Sequence, residues 1–279
     1  MLVSKYIYST TTTHITVQIL SDIHLEMHTI LPKIPVKAKY LILAGDICQL
    51  SHPLFYPLLD YCSVHWAKTV YIPGNHEYYS RTQNMTELDY QYYTGIRERY
   101  SNVFYLNNSS MDLEDGISLY GATFWTPSPF TTNCEARRYV NDYTFIQYFK
   151  QACDDVVELD IAEVNQLSSN AFDQLRDYLM EETKPTIVVT HFPPLRTNTS
   201  HPKYTRSKSV TDSYFSWPDD TVSNLNMDHV VAWISGHTHW SHDFQIDNTR
   251  YVSNQVGYSS EYRETGVSND GLYTFTVAS

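Results

Sequence analysis

Apolar residues along this chain fall in short runs of four to eight, most of them ended abruptly by a glycine, a carboxylate, an amide or an imidazole. Such runs predict strands over 15–20 (ITVQIL), 40–44 (YLILA), 69–72 (TVYI), 102–106 (NVFYL), 117–124 (ISLYGATF), 186–190 (TIVVT), 231–235 (VAWIS) and 251–254 (YVSN). Between strands the period changes to that of helices. Leu54, Leu58 and Cys62 come after Ser51 at helical spacing, which makes Ser51 the predicted N-cap, and Leu88, Tyr92 and Ile96 repeat the pattern. Leu167, Ala171, Leu175 and Leu179 stand four apart in a predicted helix from about Ala162 to Glu182, with Pro185 beyond its end. Alternating strands and helices predict an α/β fold. The stretch 192–224 breaks both periods and is longer than an ordinary loop in a compact domain, as functional or mobile loops are.

Composition narrows the setting. The chain has 279 residues, 42% of them apolar, enough for a substantial core, so one domain over 1–279 is expected. Nineteen Lys and Arg against 31 Asp and Glu give a formal charge of 19 − 31 = −12, which disfavours extended nucleic-acid binding. Bound divalent cations would offset that charge locally, so a small anionic substrate is admissible. No run approaches the roughly 18 apolar residues of a membrane helix. The start, MLVSKYIYSTTTTHITVQIL, lacks the basic region and apolar run of a signal peptide, and its STTTT patch reads as a solvated lead-in. A cytoplasmic protein with no membrane span is expected. Cys48, Cys62, Cys134 and Cys153 show no metal or redox spacing, so reduced thiols are expected.

The chemistry lies at the ends of the apolar runs. VQIL leads into Asp22 and His24, LILA into Asp46, TVYIP into Asn75, His76 and Glu77, TIVVT into His191, and VAWIS into His237 and His239. Ligands of open α/β sheets bind in the crevice outside the carboxyl ends of the strands, so five such endings aim their polar groups at one place. Gly45, Gly74 and Gly236 precede three of them, where a residue without a β-carbon allows a sharp turn. Singly these are weak signals: an isolated DxH reads as an Asx-turn beside a surface histidine. As an ordered set they read as metal ligands. Asp22, His24, Asp46, Asn75, His191, His237 and His239 are more groups than one tetrahedral ion needs, and they mix oxygen with imidazole nitrogen and contain no thiolate. Two divalent ions are expected, manganese, iron or zinc. With Asp46 as the bridging carboxylate, one ion takes Asp22, His24, Asp46 and His239, and the other takes Asp46, Asn75, His191 and His237, a split that spacing alone does not fix.

These blocks, DIH, GD, GNHE, a lone His and GHTH, resemble those of the calcineurin-like metallophosphoesterases, over most of the chain. The resemblance implies a four-layer α/β/β/α sandwich, two mixed sheets face to face with helices outside, and a dinuclear centre at one edge with the same ligand split. It also implies a strand pair from SHDF to TRYVSNQVGY. Protein serine/threonine phosphatases extend GD to GDxxDRG, whereas this chain reads GDICQL, with Gln49 and Leu50 at the divergent positions. Protein phosphatase activity is therefore not carried over, and His76 loses its usual carboxylate. Glu77 reads either as a substitute orienter for His76 or as a solvated acid.

The implied reaction is hydrolysis of a small phosphorylated substrate, a monoester or a diester, by a hydroxide shared between the two ions, with Asp46 bridging them. His76 reads as the residue that donates a proton or stabilises charge, or as a hydrogen-bonding neighbour of the ligands. Asn75, His76 and Arg196 are the candidate substrate contacts. Arg196, Lys203, Arg206 and Lys208, beside Tyr204, Tyr214, Phe215 and Trp217, make the 192–224 loop either a lid on the substrate side or a solvated loop. Tyr78 and Tyr79 are candidate pocket walls, His242 a group behind the ligands, and Cys48 a packed residue or an oxidation-sensitive one. Two alternatives stand: a nuclease of the same superfamily, opposed by the charge, and a non-catalytic metal-binding interaction scaffold, opposed by the intact ligand set. The oligomeric state stays open.

Overall fold

Buried on both faces, the longest apolar runs form the central strands of two sheets. The computed structural model describes residues 12–113, 116–205, 214–261, 264–268 and 271–278. In chain order the strands are β1 (Thr12–Leu20), β2 (Tyr40–Ala44), β3 (Lys68–Ile72), β4 (Val103–Tyr105), β5 (Ser109–Asp112), β6 (Ser118–Ala122), β7 (Gln147–Lys150), β8 (Asp155–Glu158), β9 (Thr186–Thr190), β10 (Val230–Ile234), β11 (Asp243–Ile246), β12 (Thr249–Val252) and β13 (Leu272–Ala278). The principal helices are α1 (Phe55–His65), α2 (Met85–Arg99), α3 (Asn133–Tyr139), α4 (Asp142–Phe145) and α5 (Ile161–Glu181).

One sheet has the order β13-β1-β2-β3-β4 and the other β11-β12-β10-β9-β6-β5. Both are mixed: neighbours run parallel except at β1/β13, β11/β12 and β5/β6. The period of two along a strand decides the layers. Ile15, Val17 and Ile19 of β1, Ile42 of β2 and Val70 of β3 pack against Leu119, Ile187, Val189 and Ile234 of the facing sheet. Their alternates Leu41, Leu43 and Tyr71 pack under α1 and α2, while Tyr120, Val188 and Trp233 pack under Ala171, Leu175 and Leu179 of α5. The result is helices, sheet, sheet, helices, the expected four-layer sandwich. Each fully buried Leu, Ile or Val contributes about 1.5–3 kcal/mol through the surface it removes from water.

The predicted strands all form, with ends displaced by a few residues at most. The strands β5, β7, β8 and β13 were not expected; β5, β7 and β8 are half-exposed and carry no continuous apolar run. Ser51 does not cap α1. That helix begins at Phe55 after Leu54, because Pro53 keeps His52 out of the helix and the His52 ring accepts the Leu54 amide at 3.3 Å. Among the described residues no helix is long and apolar enough to cross a membrane. All four cysteines are free.

Candidate metal centre

Parallel strands put their carboxyl ends on one edge, and there the two sheets meet: Ser21, just past β1, bridges in parallel to Gln255, beyond β12. The turns at this edge bend through an unusual backbone. Asp22, His24, Asp46, His237 and His239 all have φ between 49° and 73°, the left-handed region that costs a residue with a β-carbon roughly 1–2 kcal/mol. Asp and His tolerate it better than most, and such strain clusters where the surrounding fold over-determines the geometry for function. The glycines serve a purpose beyond the turn. A β-carbon on Gly45 would lie 2.2 Å from His191 Nδ1, and one on Gly74 would lie 2.2 Å from Asp46 Oδ1, so the space of those two side chains is taken by candidate ligands.

All seven predicted ligands converge, in two groups that share Asp46. In the first, His24 Nε2 lies 3.0 Å from His239 Nε2 and 3.8 Å from Asp46 Oδ2, and His239 Nε2 lies 3.6 Å from Asp22 Oδ1. In the second, His191 Nε2 lies 3.0 Å from Asn75 Oδ1, 3.2 Å from His237 Nδ1 and 3.3 Å from Asp46 Oδ1. Asp22, His24, His239 and Asp46, His191, His237 are each placed to hold a metal ion.

The outer atoms of these side chains explain their orientation. His191 Nδ1 donates to the Ala44 carbonyl, His24 Nδ1 to Glu26 at 3.0 Å, and His239 Nδ1 to Glu261 at 2.5 Å. Each ring therefore turns its Nε2 lone pair inward, the arrangement by which a neighbouring carbonyl or carboxylate fixes a ligating imidazole. Asn75 spends its amide hydrogens on Asp142 at 2.8 Å and on Tyr79, which leaves Oδ1 inward. Asn75 Oδ1, His191 Nε2 and His237 Nδ1 thus face one another beside the Asp46 carboxylate, a mixed oxygen and imidazole set suited to a divalent cation. Burial lowers the His191 pKa, but the adjacent Asp46 charge outweighs it and pushes it up to about 10. Burial and the His191 charge press the His237 pKa down. Burial alone would raise Asp46; the His191 and His76 charges hold it well below the usual carboxylate range.

His76 stands at the rim, its side chain 17% exposed. Its Nδ1 donates to Glu26 Oε1 at 2.9 Å, its ring stacks on Tyr79, and its Nε2 lies 3.4 Å from the Tyr258 hydroxyl. Burial lowers its pKa, but the Asp46 charge and the Glu26 hydrogen bond raise it to about 9. The carboxylate that orients His76 is therefore Glu26. Glu77, the expected orienter or solvated acid, is neither. It is 1% exposed and accepts from the Asp46, Ile47, Cys48 and Gly74 amides and the Tyr71 hydroxyl, so it clasps the GD turn to the GNHE turn.

A cleft of about 870 Å³ opens over the centre, lined by His76, Asn75, His237 and His239 and extending past Tyr79, Tyr139, Phe215 and Arg196. Arg196 is an exposed part of its wall, its amide held by Asp219. Tyr79 lines the cleft; Tyr78 points into the core and donates to Asp89. The described part of the 192–224 loop is anchored wall. Tyr214 donates to Asp142, Thr199 O accepts from Thr238, and Trp217 stacks on Phe124 in the core. Lys203 pairs with Glu264, and Arg206 and Lys208 lie outside the described residues. His242 sits behind the turn against Ser253, and burial pushes its pKa down to about 4. Cys48 is buried, which raises its thiol pKa and fits a packed residue.

Sequence reasoning missed Glu26, Asp142, Tyr258 and Glu261. Glu26 had a signal, standing two residues beyond His24 in SDIHLE. Asp142 had none, since it opens the short helix α4, far in sequence from any ligand-bearing turn.

A family model described as calcineurin-like phosphoesterase matches residues 15–241. An uncharacterized protein of Acanthamoeba polyphaga mimivirus is 27% identical over 233 residues, 82% of each chain. Among solved structures, a phosphopantetheinyl hydrolase from Mycobacterium tuberculosis superposes with a TM-score of 0.67 at 18% identity, covering 93% of this chain and 95% of that one. At that identity the likeness bears on fold.

Proposed function

The chain belongs to the calcineurin-like phosphoesterase family, and from that premise we propose that it hydrolyses a small phosphomonoester or phosphodiester at a centre of two divalent cations. The observation that supports this most strongly is the convergence of Asn75 Oδ1, His191 Nε2 and His237 Nδ1 beside Asp46. Asp22, His24, Asp46 and His239 would hold one cation and Asp46, Asn75, His191 and His237 the other, with manganese, iron and zinc all compatible with a mixed oxygen and imidazole set. Such ions activate water at neutral pH and neutralise phosphoryl oxygens.

The chain supplies the rest. Asp46 reaches both groups and is the shared carboxylate. His76, its Nδ1 tied to Glu26 and its Nε2 turned to the cleft, donates a proton to the departing oxygen, a contribution of about 10²–10⁴-fold for a well-placed general acid. Asn75 offers only Oδ1, because Asp142 holds its amide. Arg196 stands at the cleft wall for a substrate oxygen. A cleft of this size is that of a small-molecule site rather than a nucleic-acid groove. We place the whole reaction in one domain, and a cytoplasmic setting accords with the four free cysteines.

The test is hydrolysis of bis-p-nitrophenyl phosphate and p-nitrophenyl phosphate by metal-stripped protein reloaded with Mn²⁺, with Asp46→Asn beside it. Activity should return with the metal and fall by at least about a hundredfold in the variant. Silence of the reloaded wild type on both esters, with two equivalents of metal bound, overturns the reading.

A further inference from the structure

Glu26 lies on the single turn Leu25–Met27 that succeeds β1, and one of its oxygens serves two imidazoles from different strand ends. Oε1 is 3.0 Å from His24 Nδ1 and 2.9 Å from His76 Nδ1. Both rings therefore present Nε2 to the same Asp46 oxygen, at 3.8 Å and 3.9 Å. The two rings meet edge to face with centroids 4.5 Å apart, and Tyr79 closes the other side of His76 at 4.2 Å. Neither imidazole can rotate without breaking its bond to Oε1 or striking a ring. Among the described residues the second oxygen, Oε2, is buried without a hydrogen-bond partner, and both imidazoles are held through Oε1.

On the phosphoesterase reading, we infer that Glu26 is a positioning residue that fixes His24 as a ligand and His76 as a proton donor in one step, so that the two roles are mechanically coupled. Geometry carries this: a shared acceptor sets the tautomer and the plane of both rings, as carboxylate partners of ligating histidines do. The consequence is specific. A change at residue 26 that disturbs cation affinity must disturb leaving-group chemistry with it, although Glu26 is not in the candidate ligand groups or the cleft wall formed by the described residues.

Two variants separate position from charge. Glu26→Gln keeps the reach and an oxygen that can accept from both rings, and its amide nitrogen replaces Oε2, which makes no bond among the described residues. Glu26→Asp keeps the charge but is one methylene short. Mn²⁺ affinity by calorimetric titration, and kcat/KM on bis-p-nitrophenyl phosphate against diphenyl phosphate, whose phenolate leaves less readily, are measured on both variants and the wild type. Thermal melting confirms that each is folded. Glu26→Gln should stay within about tenfold of wild type in both readouts, whereas Glu26→Asp should lose about 10–100-fold in Mn²⁺ affinity and widen the ester ratio by about tenfold or more. The inference is overturned if Asp serves as well as Glu, or if the variants lower both esters equally and bind Mn²⁺ unchanged. Wild type that binds Mn²⁺ but cleaves neither ester refutes the phosphoesterase reading instead, and the affinities still decide whether Glu26 positions His24.

Discussion

Glu77 illustrates how much one buried carboxylate can organise. Four backbone amides and the Tyr71 hydroxyl donate to it, and they join turns 30 residues apart. Burial, with the Asp46 charge nearby, raises its pKa. Truncation by Glu77→Ala would strand all five donors in the interior, at about 1–3 kcal/mol each before relaxation. The expected loss is about 4 kcal/mol or more, among the largest single-site effects. Denaturant unfolding checks it, and a loss below about 1 kcal/mol would show that water replaces the carboxylate. The sequence displays Glu77 only as the last letter of GNHE, beside His76. Spacing shows which residues are neighbours along the chain, not where a side chain turns, and Glu26, in plain view in SDIHLE, escapes notice for the same reason. The convergence of the seven candidate ligands was legible because each comes after a strand that must end at one edge.

Helix α5 was equally legible, because a 21-residue amphipathic stripe over a sheet leaves few alternatives. Its cap was not. Asp160 is the N-cap, accepting from the Glu163 amide at 2.9 Å and from Lys150 Nζ at 2.8 Å. Burial raises its carboxyl, but the Lys150 and Glu163 hydrogen bonds outweigh that and lower it below the ordinary 3.8. A carboxyl depressed in the folded state stabilises above its unfolded pKa and loses that contribution as pH falls through the folded one. Asp160→Ala should therefore cost about 1 kcal/mol at neutral pH, nearly all of it from the cap. The Lys150 pair is too exposed to add much. In urea melts at a series of pH values, the gap should close below pH 3.8; a gap that persists in acid would assign the loss to packing. The hairpin β7/β8 and the strand β13 illustrate the opposite case. Half-exposed strands with mixed faces do not announce themselves, and pairing with a distant partner, as β13 has in β1, is a tertiary fact.

At the scale of the molecule the centre is a joint between two sheets. Asp22, His24, Asp46 and Asn75 come from the β1-β2-β3 sheet, and His191, His237 and His239 from the β9-β10 sheet. A cation held by both binds the folded state and not the unfolded one, so at a hundredfold excess over Kd it adds about 2.7 kcal/mol. Scanning calorimetry should show Mn²⁺ raising Tm by about 5–10 °C, chelator reversing it, and Asp46→Asn abolishing it; an unchanged Tm would mean the two sheets do not share an ion. The pairing of His24 with His239 spans 215 residues of chain. For a chain emerging from the ribosome at about 5–20 residues per second, the first ligands wait on the order of ten seconds or more for the last. Until residue 239 is free, a nascent chain carries Asp22, His24, Asp46, Asn75 and His191 without the GHTH turn that completes both groups. A chain halted between residues 191 and 237 therefore carries Asp22, His24, Asp46, Asn75 and His191 and completes neither group.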